Sequence, residues 1–325
     1  MLISFFCWFR LPKTFVQPFA LVSFILFLSF PVVFAQISTT PSSYPYPAIN
    51  FVYTQNFSNL PVPSTYVSGI TGKGPYFLGS LHVGLQGLFI AQTSGSNTAL
   101  NFTTSSGSNA SNGIFSYGAN NAATRGLGSL ASSAGAYVFG ISFTNNTSAV
   151  IDQFAIEFTA AQWRKGGSGK ANEWTFTYHT SSTNNVLDTL TKKDTTLNFT
   201  SVQTSTGTAA LNGLLTVNQQ QKKDTLFNLN WKPGEQLILK WQDKDDVGND
   251  DGMALQQLIG KALTMPDNTA PTVIALIPPP AKTYTTGDTI TAKIIFSEPC
   301  FLNSSRFIPY LVATISDSAK NLQYT

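Results

Sequence analysis

The sequence predicts an all-β protein, an antiparallel β-sandwich with jelly-roll-like topology followed by part of a second sandwich. Three observations support this. Apolar and polar residues alternate with a period of two in several runs, the runs are separated by Gly/Ser/Asn turns, and helical periodicity is missing. Hydrophobic residues make up 42% of the chain and aromatic residues 13%. Such a composition can fill a core and argues against disorder.

Residues 1–35 are predicted to be a signal peptide. Arg10 and Lys13 precede an uncharged apolar run of 16 residues, 19–34, which is shorter than the roughly 20 residues of a membrane-spanning helix. Small residues before Gln36 suit signal peptidase. The mature protein is therefore expected to be secreted or on the cell surface, with no transmembrane segment after cleavage.

The charge balance disfavours nucleic acid as a partner. Loss of the leader would leave 17 basic and 16 acidic residues, and charged residues make up only 11% of the chain. No basic field remains to hold a phosphate backbone. Cys300 would be alone after Cys7 is removed, so the fold is expected to depend on core burial rather than on a disulfide.

The Pro/Ser/Thr-rich residues 36–50 are interpreted as a linker, and residues 51–262 as the main β-sandwich module. The strongest alternating runs lie at 137–143, 154–158, 174–178 and 237–241, with weaker runs at 51–57, 77–90, 98–104, 195–202, 211–217 and 225–231. About ten strands are more than an immunoglobulin domain holds, which favours the jelly roll.

A Pro-rich hinge is predicted at 263–271, and residues 272–325 form the start of another domain. About 55 residues are too few for a sandwich of about 100, so further C-terminal sequence and domains are expected in the full-length protein.

The segment TAPTVIALIPPPAKTYTTGDTITAKIIFSEP resembles the opening strands of bacterial immunoglobulin-like and cadherin-like repeats of cell-surface proteins. The matching residues are Asp267, Ala270, Pro271, Val273, Gly287, Asp288, Ile290, Phe296, Ser297 and Glu298. This resemblance implies a partial immunoglobulin-like domain.

The main module looks like an accessory β-sandwich module of secreted bacterial multidomain proteins. The resemblance is carried by RGLGSL (125–130), by 139–167 and by LKWQDKDDVGNDDGMALQQL (239–258). Gln256 and Gln257 stand where relatives carry an Asp pair. The resemblance implies an extracellular module beside catalytic or adhesive domains and points to no particular activity.

The stretch WQDKDDVGNDDG holds five of the chain's 16 carboxylates between positions 243 and 251. Two interpretations stay open. The candidate calcium ligands are Asp243, Asp245, Asp246, Asn249 and Asp251. The alternative is a turn in which the Asp and Asn side chains bond to nearby backbone. An EF-hand is excluded, because Val247 occupies a ligand position.

Trp163, Arg164 and Arg125 are candidate ligand-binding residues. Trp163 would stack on a sugar while Arg164 holds a hydroxyl or carboxylate. The alternative is structural: Arg164 pairs with an acid of the 243–251 loop, and Trp163 packs beneath it. The same two interpretations apply to Arg125.

Catalytic groups are scarce. No Asp or Glu precedes Asp152, and no hydrolase, metalloprotease or nucleotide-binding motif occurs. His179 is expected to be solvated on the polar face of a strand.

The sequence therefore predicts a non-catalytic extracellular binding or spacer module. One alternative is a carbohydrate-binding module, with or without calcium, that binds a glycan or cell-surface polymer. Another is a sandwich-fold polysaccharide hydrolase or lyase, with Glu157 and Glu173 as carboxylates.

Overall fold

The structure is a computed structural model that describes residues 37–64, 70–264 and 271–298, together with the backbone of two later strands at 310–315 and 318–323. The predicted signal peptide and Cys300 lie outside these residues. The chain divides into two units, Met1–Ala262 and Leu263–Thr325.

The described residues form strands throughout, with four short 3₁₀ turns, which confirms the all-β sandwich class. The strands are Tyr44–Tyr46 (β1), Val52–Gln55 (β2), Tyr76–Phe77 (β3), Leu88–Ser94 (β4), Phe102–Ser105 (β5), Gly113–Tyr117 (β6), Gly126–Leu130 (β7), Ala136–Asn145 (β8), Phe154–Lys165 (β9), Glu173–Ser181 (β10), Lys192–Lys193 (β11), Phe199–Thr200 (β12), Ala209–Ala210 (β13), Gln219–Leu226 (β14), Gln236–Asp243 (β15), Gly252–Ala262 (β16), Val273–Ile277 (β17), Lys293–Phe296 (β18), Tyr310–Ile315 (β19) and Ser318–Gln323 (β20). The 3₁₀ turns are Leu78–Ser80, Val83–Leu85, Thr195–Leu197 and Thr216–Asn218.

Two sheets build the first unit. Sheet A has the order β11-β10-β15-β8-β4-β3, with β1 beside β8 and β12 beside β10. Sheet B has the order β13-β9-β16-β7-β6-β5, with β14 beside β9 and β2 beside β16. Most pairs are antiparallel, but β1 with β8 and β5 with β6 are parallel. The sandwich is therefore mainly antiparallel, as predicted, with two parallel pairs.

The core lies between the sheets and follows from the period-two alternation, because alternate side chains of a strand point to opposite faces. Phe139, Ile141 and Phe143 of β8 lie in it with Leu239 and Trp241 of β15, all fully buried. The rings of Phe139 and Trp241 stack with centroids 6.2 Å apart. The inward residues of neighbouring strands thus form continuous aromatic layers.

Residues 41–46 are part of the sandwich and not of a linker, which corrects the interpretation of 36–50. The backbone of β1 pairs with β8, and the Tyr46 side chain is fully buried. The Tyr46 hydroxyl accepts from the backbone N–H of Ala262 at 2.7 Å and donates to the carbonyl of Phe51 at 2.5 Å. Because backbone pairing needs no apolar composition, the local Pro/Ser/Thr content hides this strand.

In the second unit, β17 pairs with β18 and β19 with β20. A turn lies at Gly287, which has φ of +101°, and a carboxylate oxygen of Asp288 accepts from the N–H of Thr285 at 2.8 Å. The immunoglobulin-like topology stays a prediction.

Candidate functional site

The acidic loop joins the end of β15 in sheet A to the start of β16 in sheet B. Asp243, Asp250 and Asp251 are buried, with 1%, 6% and 2% of their surface exposed. Asp245 and Asn249 are exposed. The five predicted calcium ligands therefore differ in burial, and Asp250, which is not among them, is buried beside Asp243 and Asp251.

Asn172, just before β10, organises this loop. Its amide nitrogen donates to Asp246 at 2.9 Å and to Asp250 at 3.1 Å, and its amide oxygen accepts from the N–H of Asp251 at 2.7 Å. One Asp251 carboxylate oxygen accepts from the N–H of Gly166 at 2.6 Å. The loop is thus tied to the chain just after β9 and just before β10 by long-range hydrogen bonds, in addition to the local bond from the Asp246 N–H to the Asp250 carboxylate at 3.2 Å.

Burial dominates the electrostatics of the loop. It raises the pKa of Asp243 well above its usual range, and the Asp250 and Asp246 carboxylates add to that effect. Burial also raises the pKa of Asp250 to about 7, with repulsion from nearby aspartates contributing, and raises the pKa of Asp251. Desolvation and like charge both disfavour ionised carboxylates.

A pH dependence of stability follows for Asp250. Its folded-state pKa of about 7 lies above the ordinary value of about 3.9. The contribution of protonated Asp250 to the free energy of unfolding is fully present below about pH 4 and is lost as pH rises through about 7. We expect the melting temperature to fall between these pH values, and to fall less in Asp250→Asn. Melting curves at a series of pH values give the slope of melting temperature against pH for the wild type and for Asp250→Asn. Equal slopes would show that Asp250 does not cause the pH dependence.

Calcium binding by this loop stays a hypothesis. Among the residues described, no group of three or more His, Cys, Asp or Glu side chains is arranged to hold a metal ion. The hydrogen bonds of Asn172 and Gly166 favour the turn. We therefore expect EDTA to leave the melting temperature unchanged. An ion at 100 times its dissociation constant stabilises by about 2.7 kcal/mol, so a fall on EDTA treatment that added Ca²⁺ reverses would show that the loop binds calcium.

Trp163 and Arg164 do not form the predicted exposed sugar site. Trp163 is 2% exposed, and its ring stacks on Tyr117 with centroids 5.9 Å apart. The structural alternative is also only half correct. Trp163 packs as expected, but Arg164 donates to the carbonyls of Gly107 and Ser108 at 3.3 and 3.4 Å. Across the described ranges, Arg164 makes no ion pair with the acidic loop.

Arg125 is fully buried at the start of β7. Its Nε donates to Ser116 Oγ at 2.9 Å and its Nη1 to the carbonyl of Ala119 at 2.9 Å, while Nη2 donates to the Ser116 carbonyl. Burial lowers its pKa. Both interpretations of Arg125 are corrected, because it meets neither solvent nor a carboxylate. It ties the loop between β6 and β7 instead.

His179 is buried, with 6% of its surface exposed, and is not solvated as expected. Lys240, on the neighbouring strand β15, is 7% exposed. Burial lowers the pKa of both side chains, to about 8 for Lys240. No sequence pattern singles out Lys240, since its place in an alternating strand predicts only an outward-facing lysine. The predicted carboxylates Glu157 and Glu173 lie on β9 and β10, in different sheets.

A groove of about 390 Å³ runs between the N-terminal segment and the 3₁₀ turns after β3. Its lining consists of hydroxyl, amide and small apolar groups. These residues are Ser38, Thr40, Pro41, Ser42, Phe77, Gly79, Ser80, Val83 and Gln86. Such a lining suits hydrogen bonding to a neutral polar ligand beside an apolar wall.

No family model matches the sequence, and no curated protein does. Among solved structures, the chain is similar to the enzymatically active domain of tailspike protein 4 of bacteriophage CBA120. The identity is 10% and the TM-score 0.29, over 55% of this chain and 19% of that one. It is also similar to the xylan-binding module CBM15, with 10% identity and a TM-score of 0.27, over 53% of this chain and 95% of that one. Neither similarity is high enough to transfer a site or an activity.

Proposed function

We propose that the sandwich is a non-catalytic binding or spacer module of a secreted or cell-surface protein. The observation that supports this most directly is the use of the candidate side chains. Arg125, Asp243 and Asp251 are at least 98% buried, and the hydrogen bonds of Arg125 and Asp251 hold loops of their own chain. Groups engaged in this way stabilise a scaffold and are not presented to a substrate.

Carbohydrate binding is the second candidate, and the groove favours it. Ser38, Ser42 and Gln86 offer hydroxyl and amide groups beside the apolar side chain of Val83, which is 77% exposed. A sugar presents the same combination, with hydroxyl groups at its rim and C–H groups on its faces. Calcium dependence is a further element of this candidate and is tested by EDTA.

Affinity electrophoresis of the folded protein in gels that contain single soluble polysaccharides tests the proposal, together with an assay for released reducing ends and unsaturated products. We expect retardation by at least one polysaccharide without release of product if the module binds glycans. A pure spacer would show neither. Release of product would contradict the non-catalytic proposal and support the hydrolase or lyase alternative.

In the part of the chain that is described, no helix is long and apolar enough to cross a membrane. Export, removal of residues 1–35 and the further C-terminal domains remain proposals. N-terminal sequencing of the protein recovered from culture medium tests the first two, with Gln36 as the expected first residue.

A further inference from the structure

Residues 182–191, which join β10 to β11, lie as a strap over the outer face of sheet A. Val186 is 1% exposed and packs with Phe77, Phe89 and Ile238 in a small apolar cluster apart from the main core, and Leu187 packs against the same cluster. Ile238 lies between Leu237 and Leu239, which face the main core, so this cluster is on the opposite face of the sheet.

Three polar contacts between side chains on the outer face of the sheet and the strap run in one direction. Ser142 Oγ donates to the Asn184 side-chain oxygen at 2.7 Å. His179 Nε2 donates to the carbonyl of Asn185 at 3.2 Å, since a carbonyl can only accept. Lys240 Nζ donates to the carbonyl of Asp188 at 2.5 Å. The sheet therefore presents three hydrogen-bond donors, and the strap supplies the oxygen acceptors.

The charge of Lys240 has no carboxylate in direct contact, although Asp188 of the strap attracts it from a longer distance and opposes the lowering of its pKa. Within the ranges that the structure describes, no carboxylate lies at ion-pair distance from its amine. The carboxylate of Asp188, the nearest in the strap, accepts from the N–H of Leu190 at 2.9 Å. In addition, Nδ1 of His179 is buried without a hydrogen-bond partner. Buried charges are usually paired and buried polar atoms usually bonded, but on this face Lys240 and His179 bond directly only to neutral carbonyl oxygens.

We propose that the outer face of sheet A at Ser142, His179 and Lys240 is a binding site for a carboxylate-bearing sugar, and that the strap oxygens occupy the ligand's place when the strap is closed. The proposal rests on the binding form of the proposed function and specifies its ligand as an acidic glycan. Phe89, under the strap, supplies an apolar surface beside the three donors. A uronate ring offers the matching set of a carboxylate, hydroxyl groups and an apolar face.

Closure of the strap lowers the apparent affinity of the protein for its ligand. A ligand that binds only the open state has an apparent dissociation constant equal to its intrinsic value divided by the fraction of molecules that are open. A variant that loosens the strap without altering the donors therefore binds more tightly. Val186→Ala is such a variant, because it removes the buried apolar anchor and leaves the polar groups in place.

The test uses polygalacturonate and its fully methyl-esterified form, which share a backbone and differ in the free carboxylates. Affinity electrophoresis gives the dissociation constants, and hydrogen exchange over 182–191 reports strap opening. We expect Val186→Ala to exchange faster and to bind polygalacturonate about tenfold more tightly than the wild type. Adding Lys240→Met should weaken that binding at least about tenfold. Lys170→Met removes an exposed lysine as a matched control and should change nothing. The methyl ester should not bind.

Two results would overturn the inference and separate it from the proposed function. If Val186→Ala opens the strap but Lys240→Met leaves binding unchanged, the protein binds glycans at another site. If the opened protein binds no polysaccharide of any kind, the binding function fails as well. Should Lys240→Met not fold, Ser142→Ala removes a different donor and is expected to weaken binding about threefold; unchanged affinity in that variant would also overturn the inference.

Discussion

Gly128→Ala is expected to destabilise the sandwich by at least about 3 kcal/mol. Gly128 lies in β7, opposite Ala254 of β16. A Cβ atom at this position would lie 1.8 Å from the carbonyl oxygen of Met253 and 2.5 Å from the Cα of Ala254. Both contacts are with the backbone of a central strand, which cannot rotate away as a side chain would. Register shifts in β16 on both sides of Met253–Leu255 accompany this close approach.

Thermal unfolding measures the effect. At about 2–4 °C per kcal/mol for a unit of this size, the melting temperature should fall by at least about 6 °C. Gly72→Ala is the matched control, because its Cβ would meet only the Tyr76 hydroxyl at 3.4 Å, an ordinary contact. Equal melting temperatures for the two variants would contradict the predicted clash.

Arg125→Met should be the second large effect, with a loss of about 3 kcal/mol. Methionine retains the apolar volume and removes the guanidinium group, so the side-chain oxygen and the carbonyl of Ser116 lose their donor inside the protein. Each buried group left without a partner costs about 1–3 kcal/mol. Relief of the buried charge offsets part of this loss.

Arg164→Met is the control for Arg125→Met. Arg164 is half-buried, and its bonds to carbonyls are 3.3 Å and longer, so we expect a loss below about 1 kcal/mol. Urea unfolding of both variants gives the free energies of unfolding. A neutral or stabilising Arg125→Met would mean that desolvation of the charge outweighs its three hydrogen bonds.

Local alternation predicted some of the strands that face the core and missed others, since the buried strands β6, β7 and β16 lie outside every predicted run. The runs at 137–143 and 237–241 lie within β8 and β15, because each alternates apolar core residues with others. The polar strand β14 was not predicted, because QQQKKDTL pairs with β9 through its backbone and buries few of its side chains. The run at 211–217 was wrongly predicted as a strand, because Asn212 turns the chain by accepting from the N–H of Leu214 at 3.0 Å.

The sites were less predictable than the fold. The crowding of aspartates at 243–251 is visible in the sequence, but which of them are buried depends on Asn172, more than 70 residues away. Trp163 was a candidate for stacking on a sugar because the alternating pattern of a strand does not show what covers the outer face of that strand. The burial of His179 and Lys240 could not be predicted for the same reason. The strap that buries them is a polar loop, and nothing in its composition indicates where it packs.

The position of β16 constrains when folding can finish. This last strand of the first unit lies between β9 and β7 in sheet B and also pairs with β2, and Ala262 at its end bonds to Tyr46. Sheet B cannot be completed until residue 262 has emerged from the ribosome, because the strands synthesised earlier lack the strand that pairs between them. For a protein proposed to be exported, this order means that sheet B stays incomplete until almost the whole module has been synthesised.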